Sequence, residues 1–174
     1  ECDIAPVHLV DRKTGQYNVH LVQPGLTLVP GWRRMQGILH RAGDTRFEGR
    51  SAKDALAAAL GDGAALMVNR NAGSGTRVLM DTLLDGRKPP GYANQPKSHN
   101  AVAAAIAQSR ADWGLAIEPV AKMYGLGFLP VAPEQYDFLV AQKPRAHTAV
   151  AAFLAALKDE GTRARIRALG MEPA

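Results

Sequence analysis

The run Leu66-Met67-Val68-Asn69-Arg70-Asn71-Ala72-Gly73-Ser74-Gly75-Thr76-Arg77, continuing into Val78-Leu79-Met80-Asp81-Thr82-Leu83-Leu84, constrains the fold more than any other part of the chain. It reads as a buried strand, a glycine-punctuated turn and a helix start in immediate succession. Such a turn suits an anion. Gly73 and Gly75 permit backbone dihedrals and close approaches that larger residues resist, and Ser74 and Thr76 offer hydroxyl donors. The first turn of the helix adds unpaired N–H groups with partial positive charge, and Arg77 a forked cation. The plain alternative is a tight sheet-to-helix connection with no ligand. A phosphate-binding P-loop is excluded, because no Lys lies between Lys53 and Lys88. The hydrolase elbow GxSxG is excluded as well, because Ala72 and Thr76 flank Ser74 at the glycine positions. Ser74 is therefore read as a donor and not as a nucleophile.

Lys97-Ser98-His99-Asn100 precedes Ala101-Val102-Ala103-Ala104-Ala105-Ile106-Ala107-Gln108-Ser109-Arg110, a run of strong helix formers. Ser98 or Asn100 caps this helix, and with Ser98 as the cap His99 and the free amides face whatever lies beyond the end. An ordinary cap beside a solvated histidine explains the segment equally well. Two such ends in one chain point to a shared hollow for an oxyanion.

The composition limits the function classes. With 174 residues, 47% of them hydrophobic and 21% charged, the chain can bury a core of one domain or two small lobes. Its apolar runs are interrupted well before the roughly 20 residues of a membrane span. The net charge of +5 invites nucleic acid, but the basic residues are scattered, and Arg163, Arg165 and Arg167 point around a helix rather than along one face. Cys2 is the single cysteine, so no internal disulfide forms. His8, His20, His40, His99 and His147 show neither HxxxH nor HxH spacing, and no metal site is expected.

Along the chain, residues 4–10 read as a strand, 11–16 as a turn and 17–23 as a strand or extended connector. Residues 26–29 form a short β run, and 32–41 tilt toward a strand. Ser51 caps a helix to about Leu60, and residues 87–96 form a Pro/Gly/Asn-rich loop. Residues 111–118 are a turn and a short apolar strand ending in Glu118, 119–124 are helix-like, and 127–131 and 136–140 are strands. Helices are expected from about His147 to Leu157 and over 161–169. This alternation predicts an α/β sandwich built on a mostly parallel sheet with helices on both faces, its ligands lying beyond the carboxyl ends of the strands. Asp112 and Trp113 are read as structural, a turn acid and a packing aromatic.

Three segments in order carry a family likeness: 69–77, 98–107 and Arg110-Ala111-Asp112-Trp113-Gly114-Leu115-Ala116-Ile117-Glu118. With the opening residues 2–11 and the segment 32–41, they resemble the periplasmic-binding-protein-like domain attached to molybdenum-cofactor biosynthesis proteins and to molybdate-type or helix-turn-helix regulators. The resemblance implies a type 2 fold, two α/β lobes joined by crossover strands and closing on a small ligand. In that family further strands and helices precede the opening strand, so the first lobe is expected to be incomplete at the N-terminus. On that pattern residues 1–24 are a partial first lobe and crossover, 25–130 the second lobe with the main ligand-binding turns, and 131–174 the return crossover and C-terminal helices. The implied ligand shell is Ser74, Gly75, Thr76, Arg77, Ser98, His99 and Asn100, with His8 and Glu118 at strand ends as weaker additions. His8 is as well explained as a satisfied core or rim histidine, and Glu118 as a helix cap.

The resulting expectation is a non-catalytic sensor domain for a small anion such as molybdate or tungstate. It would act without a cofactor and in the cytoplasm, within a larger regulator or a molybdenum-cofactor biosynthesis protein. The expected partners are the ligand and an attached DNA-binding or cofactor-biosynthesis domain, with no membrane and with room for a homodimer. The rival expectation is a transferase component of molybdenum-cofactor biosynthesis using the same turns to position a phosphate. No motif here contains a clear acid/base pair, and His99 alone is no mechanism. A nucleic-acid module rests on charge alone.

Overall fold

The computed structural model describes residues 2–11, 13–142 and 148–174. The chain divides into two compact units, a terminal unit of Glu1–Arg34 with Pro133–Ala174 and a central unit of Met35–Ala132. Two long strands, β2 (Leu26–His40) and β5 (Gly127–Ala141), each run from one unit into the other.

In the central unit β2 pairs antiparallel with β4 (Trp113–Ile117), His40 opposite Trp113 and Gln36 opposite Ile117. The two-residue strand β3 (Met67–Val68) runs parallel to β4, Met67 opposite Trp113. Alternation along these strands sends neighbours to opposite faces. Ile38, Met67 and Leu115 join Phe47, Trp113 and the helices α1 (Ala52–Gly61) and α2 (Gly75–Leu84) in one apolar cluster. Leu39, Val68 and Ala116 join α3 (His99–Ala107) and α4 (Glu118–Met123) in a second. The expected helices on both faces are present in this unit. Ser51 caps α1, its hydroxyl accepting the Asp54 N–H. Asp112 ties the start of β3 into place: it accepts the Leu66 N–H at 2.8 Å and pairs with Arg41 at 2.5 Å.

In the terminal unit β1 (Ile4–Val7) pairs antiparallel with β5, Ile4 opposite Val140. The short β6 (Glu172–Pro173) pairs antiparallel with β2 at Trp32 and Arg33. Helices α5 (Thr148–Lys158) and α6 (Glu160–Ala168) complete it, Asp159 capping α6. His147, the expected first residue of α5, lies outside the described residues.

Three expectations change. The sheet is not mostly parallel: β1–β5, β2–β4 and β2–β6 are antiparallel, and β3–β4 is the parallel pair. Alternating strands and helices in sequence do not say which strands become neighbours, and β2 lies beside β4 running the other way. The two β runs at 26–29 and 32–41 are one strand continuing through Pro30 and Gly31, and 127–131 and 136–140 are likewise one. Gly31 makes this continuity feasible, since a Cβ there would meet the Tyr136 carbonyl oxygen at 2.4 Å. Finally, 17–23 holds a 3-10 turn at Val19–Leu21 instead of a strand, entered through Asn18 at φ 63°.

Candidate functional site

The turn between β3 and α2 is built as the sequence predicts. Gly73 takes the left-handed conformation, φ +82°, which a side chain would resist. Ser74 is the N-cap: its hydroxyl accepts the Arg77 N–H at 3.2 Å and donates to the Asn71 carbonyl at 3.0 Å. Gly75 opens the helix, and its N–H and that of Thr76 have no partner among the described residues. Thr76 is 1% exposed, and its buried hydroxyl oxygen has no hydrogen-bond partner among the described residues. Burying a hydroxyl that way is costly unless something else completes it.

Arg77 is buried and committed to the protein. Its Nε donates to Asp81 at 2.8 Å, its Nη1 to the Arg70 carbonyl at 3.1 Å, and its guanidinium lies 4.5 Å from the Tyr92 ring centre. Burial works against its charge, but the hydrogen bonds to Asp81 and Tyr92 outweigh it, and its pKa lies above the ordinary arginine value. Within α2 the residue therefore locks the turn onto the helix.

The second loop comes to the first. The Asn69 and Asn71 N–H groups donate to the carbonyls of Asn94 and Pro96. Ser98 caps α3, accepting the Ala101 N–H at 3.1 Å. Arg70 then ties the two: Nη1 lies 3.2 and 3.3 Å from the His99 ring nitrogens, and Nη2 donates to Asn71 Oδ1 and the Lys97 carbonyl. Ser74, Gly75, Thr76, Arg77, Ser98, His99 and Asn100 thus belong to two adjoining loops of one unit. Glu118 lies in that unit too, after the carboxyl end of β4, where it opens α4 and pairs with Lys122 at 2.8 Å. Because β3 and β4 are parallel, Arg70 and Glu118 follow strand ends at the same edge.

His8 belongs to the terminal unit. Its Nδ1 donates to Glu134 at 3.1 Å, and its ring stacks on Tyr136 with centroids 5.4 Å apart. Glu134 is 1% exposed and also accepts from Arg34 Nε. Burial pushes its carboxyl up, but the His8 hydrogen bond and the Arg34 charge more than offset this, leaving it below the usual carboxylate range.

Sequence reasoning missed two residues. Arg70 is the cation that joins the loops, and its position after a strand that leads into a small-residue turn was the available signal. Gln36 is 2% exposed, opposite Ile117, and its Oε1 has no partner among the described residues. A polar side chain in the run Met35-Gln36-Gly37-Ile38-Leu39 was its mark. Among the described residues no cluster of His, Cys, Asp and Glu could hold a metal, and no helix is long and apolar enough to cross a membrane.

The Uncharacterized protein YvgK of Bacillus subtilis (strain 168) is 34% identical over 153 residues, which is 82% of this chain. The chain spans about half the length of that curated relative, 48%. Among solved structures, an ABC-type phosphate transport receptor from Vibrio cholerae superposes with TM-score 0.62 at 14% identity, covering 98% of this chain and 80% of its own. The tungstate ABC transporter structure from Geobacter sulfurreducens gives 0.62 at 18%, covering 88% and 70%. The C-terminal domain of a probable LysR family transcriptional regulator from Rhodococcus sp. RHA1 gives 0.58 at 16%, covering 90% and 74%. These likenesses show a type 2 periplasmic-binding-protein-like α/β fold. The family described as the PBP superfamily domain matches residues 1–158, and the chain belongs to it.

Proposed function

We propose that the chain is a non-catalytic ligand-binding domain whose central unit holds a small oxyanion, molybdate or tungstate, at the mouth of α2. In this reading it is the sensor part of a cytoplasmic regulator or of a molybdenum-cofactor biosynthesis protein. The observation that carries the proposal is the buried Thr76 hydroxyl without a protein partner, set in the first turn of a ten-residue helix whose Gly75 and Thr76 N–H groups are also unclaimed among the described residues. Donors fixed in this way lose little freedom when an anion arrives, and the helix end adds a favourable field. Arg70 and Arg77 surround the turn with positive charge while holding its loops in place. The phosphate and tungstate named for two proteins of the same fold support an oxyanion, and the LysR regulator supports a sensor.

The test is titration calorimetry of the chain with molybdate, tungstate, phosphate and sulfate, repeated on Thr76→Val, which keeps the side-chain volume and removes the hydroxyl. One of the oxyanions should release heat, and the variant should bind it at least about tenfold more weakly, the effect of one hydrogen bond to a charged acceptor. No heat with any of the four, or an unchanged affinity in Thr76→Val, overturns the reading.

A further inference from the structure

The anion reading leaves unused a cavity at the other end of α2. It has a volume of about 480 Å³ and lies among α1, the end of α2 and the strands β2 and β5. Ile38, Pro130 and Val131 form its floor, Leu56 and Leu60 of α1 one wall, and Leu83 of α2 the other. It is open because α1 presents only Ala52 and Ala57 where a larger residue would fill the depression. Its size falls within the range of small-molecule pockets.

Two polar residues line it, Lys53 and Arg87, and both are cations. Neither has an acidic partner among the described residues. Asp54 accepts from Ser51 at 2.7 Å, and Asp81 holds Arg77 and Tyr92. Arg87 is held at the cavity through its Nε, which donates to the Leu84 carbonyl at 3.2 Å. An apolar hollow with two unneutralised cations at its rim complements one kind of molecule, an apolar body carrying a negative head. A neutral lipid would leave the cations unused, and a bare oxyanion would leave the apolar walls wet.

We propose that this cavity is a second binding site of the central unit, taking a small amphipathic carboxylate with its chain against Leu56, Leu60, Leu83 and Val131 and its head between Lys53 and Arg87. The site is independent of the oxyanion reading, since Leu83 lies two helical turns, roughly 10 Å, along α2 from Thr76.

The probe is octanoate, with octanol as its uncharged counterpart, followed by methyl chemical shifts of the leucines and valines and by calorimetry. Octanoate should shift the methyls of Leu56, Leu60, Leu83 and Val131 and bind more tightly than octanol. The double variant Lys53→Ala with Arg87→Ala should weaken octanoate by up to about tenfold, the sum of two exposed charge contacts, and leave octanol unchanged. Ala57→Trp, at an exposed helix position that needs no core change, should block both. Thr76→Val should leave octanoate binding intact, which separates failure here from failure of the oxyanion proposal. Equal affinity for octanoate and octanol, shifts elsewhere, or no shift at millimolar octanoate overturns the site. Concentration-dependent self-association abolished by Ala57→Trp also overturns it, because a second copy of the chain would then be the occupant.

Discussion

The two units bury different things. The central unit keeps two apolar clusters, one on each side of its strands, with Trp113, Phe47, Ile38 and Leu39 at 0–1% exposure. The terminal unit buries Asn18, Glu134 and Asp137 beside Phe138, Val140 and Ile166. Its interior is held by hydrogen bonds: Asn18 Nδ2 donates to Asp137 at 2.8 Å while its Oδ1 accepts the Leu9 N–H, and Asp137 also accepts the Gly31 N–H and Gln135. Apolar burial is non-directional and tolerates adjustment, whereas a buried polar network holds only while every member is satisfied. The central unit is therefore held mainly by packing that can adjust, and the terminal unit by a network whose members depend on one another.

The contrast can be broken most forcefully in the apolar half. Trp113→Ala should cost about 4 kcal/mol by emptying the space between Phe47 and the β strands, and urea unfolding would read it. A cost near 1 kcal/mol would show that this core is loosely packed. In the polar half, Asn18→Ala strands the Leu9 N–H and one Asp137 oxygen, for a loss of about 2–3 kcal/mol. Amide exchange should show that loss first at Leu9 and along β1; protection unchanged there would mean the network is ornamental. The smallest effect is the pH response. The Glu134 carboxyl lies below its unfolded value, so its contribution is complete above about pH 4.5 and disappears as pH falls through the lower folded value. Acid melts of Glu134→Gln should lack this part of the slope. The depressed Asp44 and Asp112 carboxyls of the central unit should retain theirs, sharpening the separation.

What the sequence disclosed was what depends on neighbours a few residues away. Ser51, Ser74 and Ser98 cap helices because a side-chain oxygen reaches an N–H three residues on, a relation visible in the letters. The family likeness across 69–77, 98–107 and 110–118 carried the fold. Strand direction was not legible, because pairing of β2 with β4 joins residues some 80 apart with no local mark. Pro30 and Gly31 read as a break because their tolerance depends on Tyr136 across the sheet. The contact of the Arg77 guanidinium with the Tyr92 ring, fifteen residues away, was not legible either. Arg70 escaped notice for a similar reason, its meeting with His99 being made by the fold.

The two residues of β3 look to opposite clusters, Met67 to one and Val68 to the other. Adding or deleting a single amino acid just before Met67 would exchange their places and put the wrong shape into both cores at once. Length variation in this part of the gene should therefore be confined to the segment downstream of Asn69, where the turn can lengthen or shorten while the scaffold beneath it stays in frame.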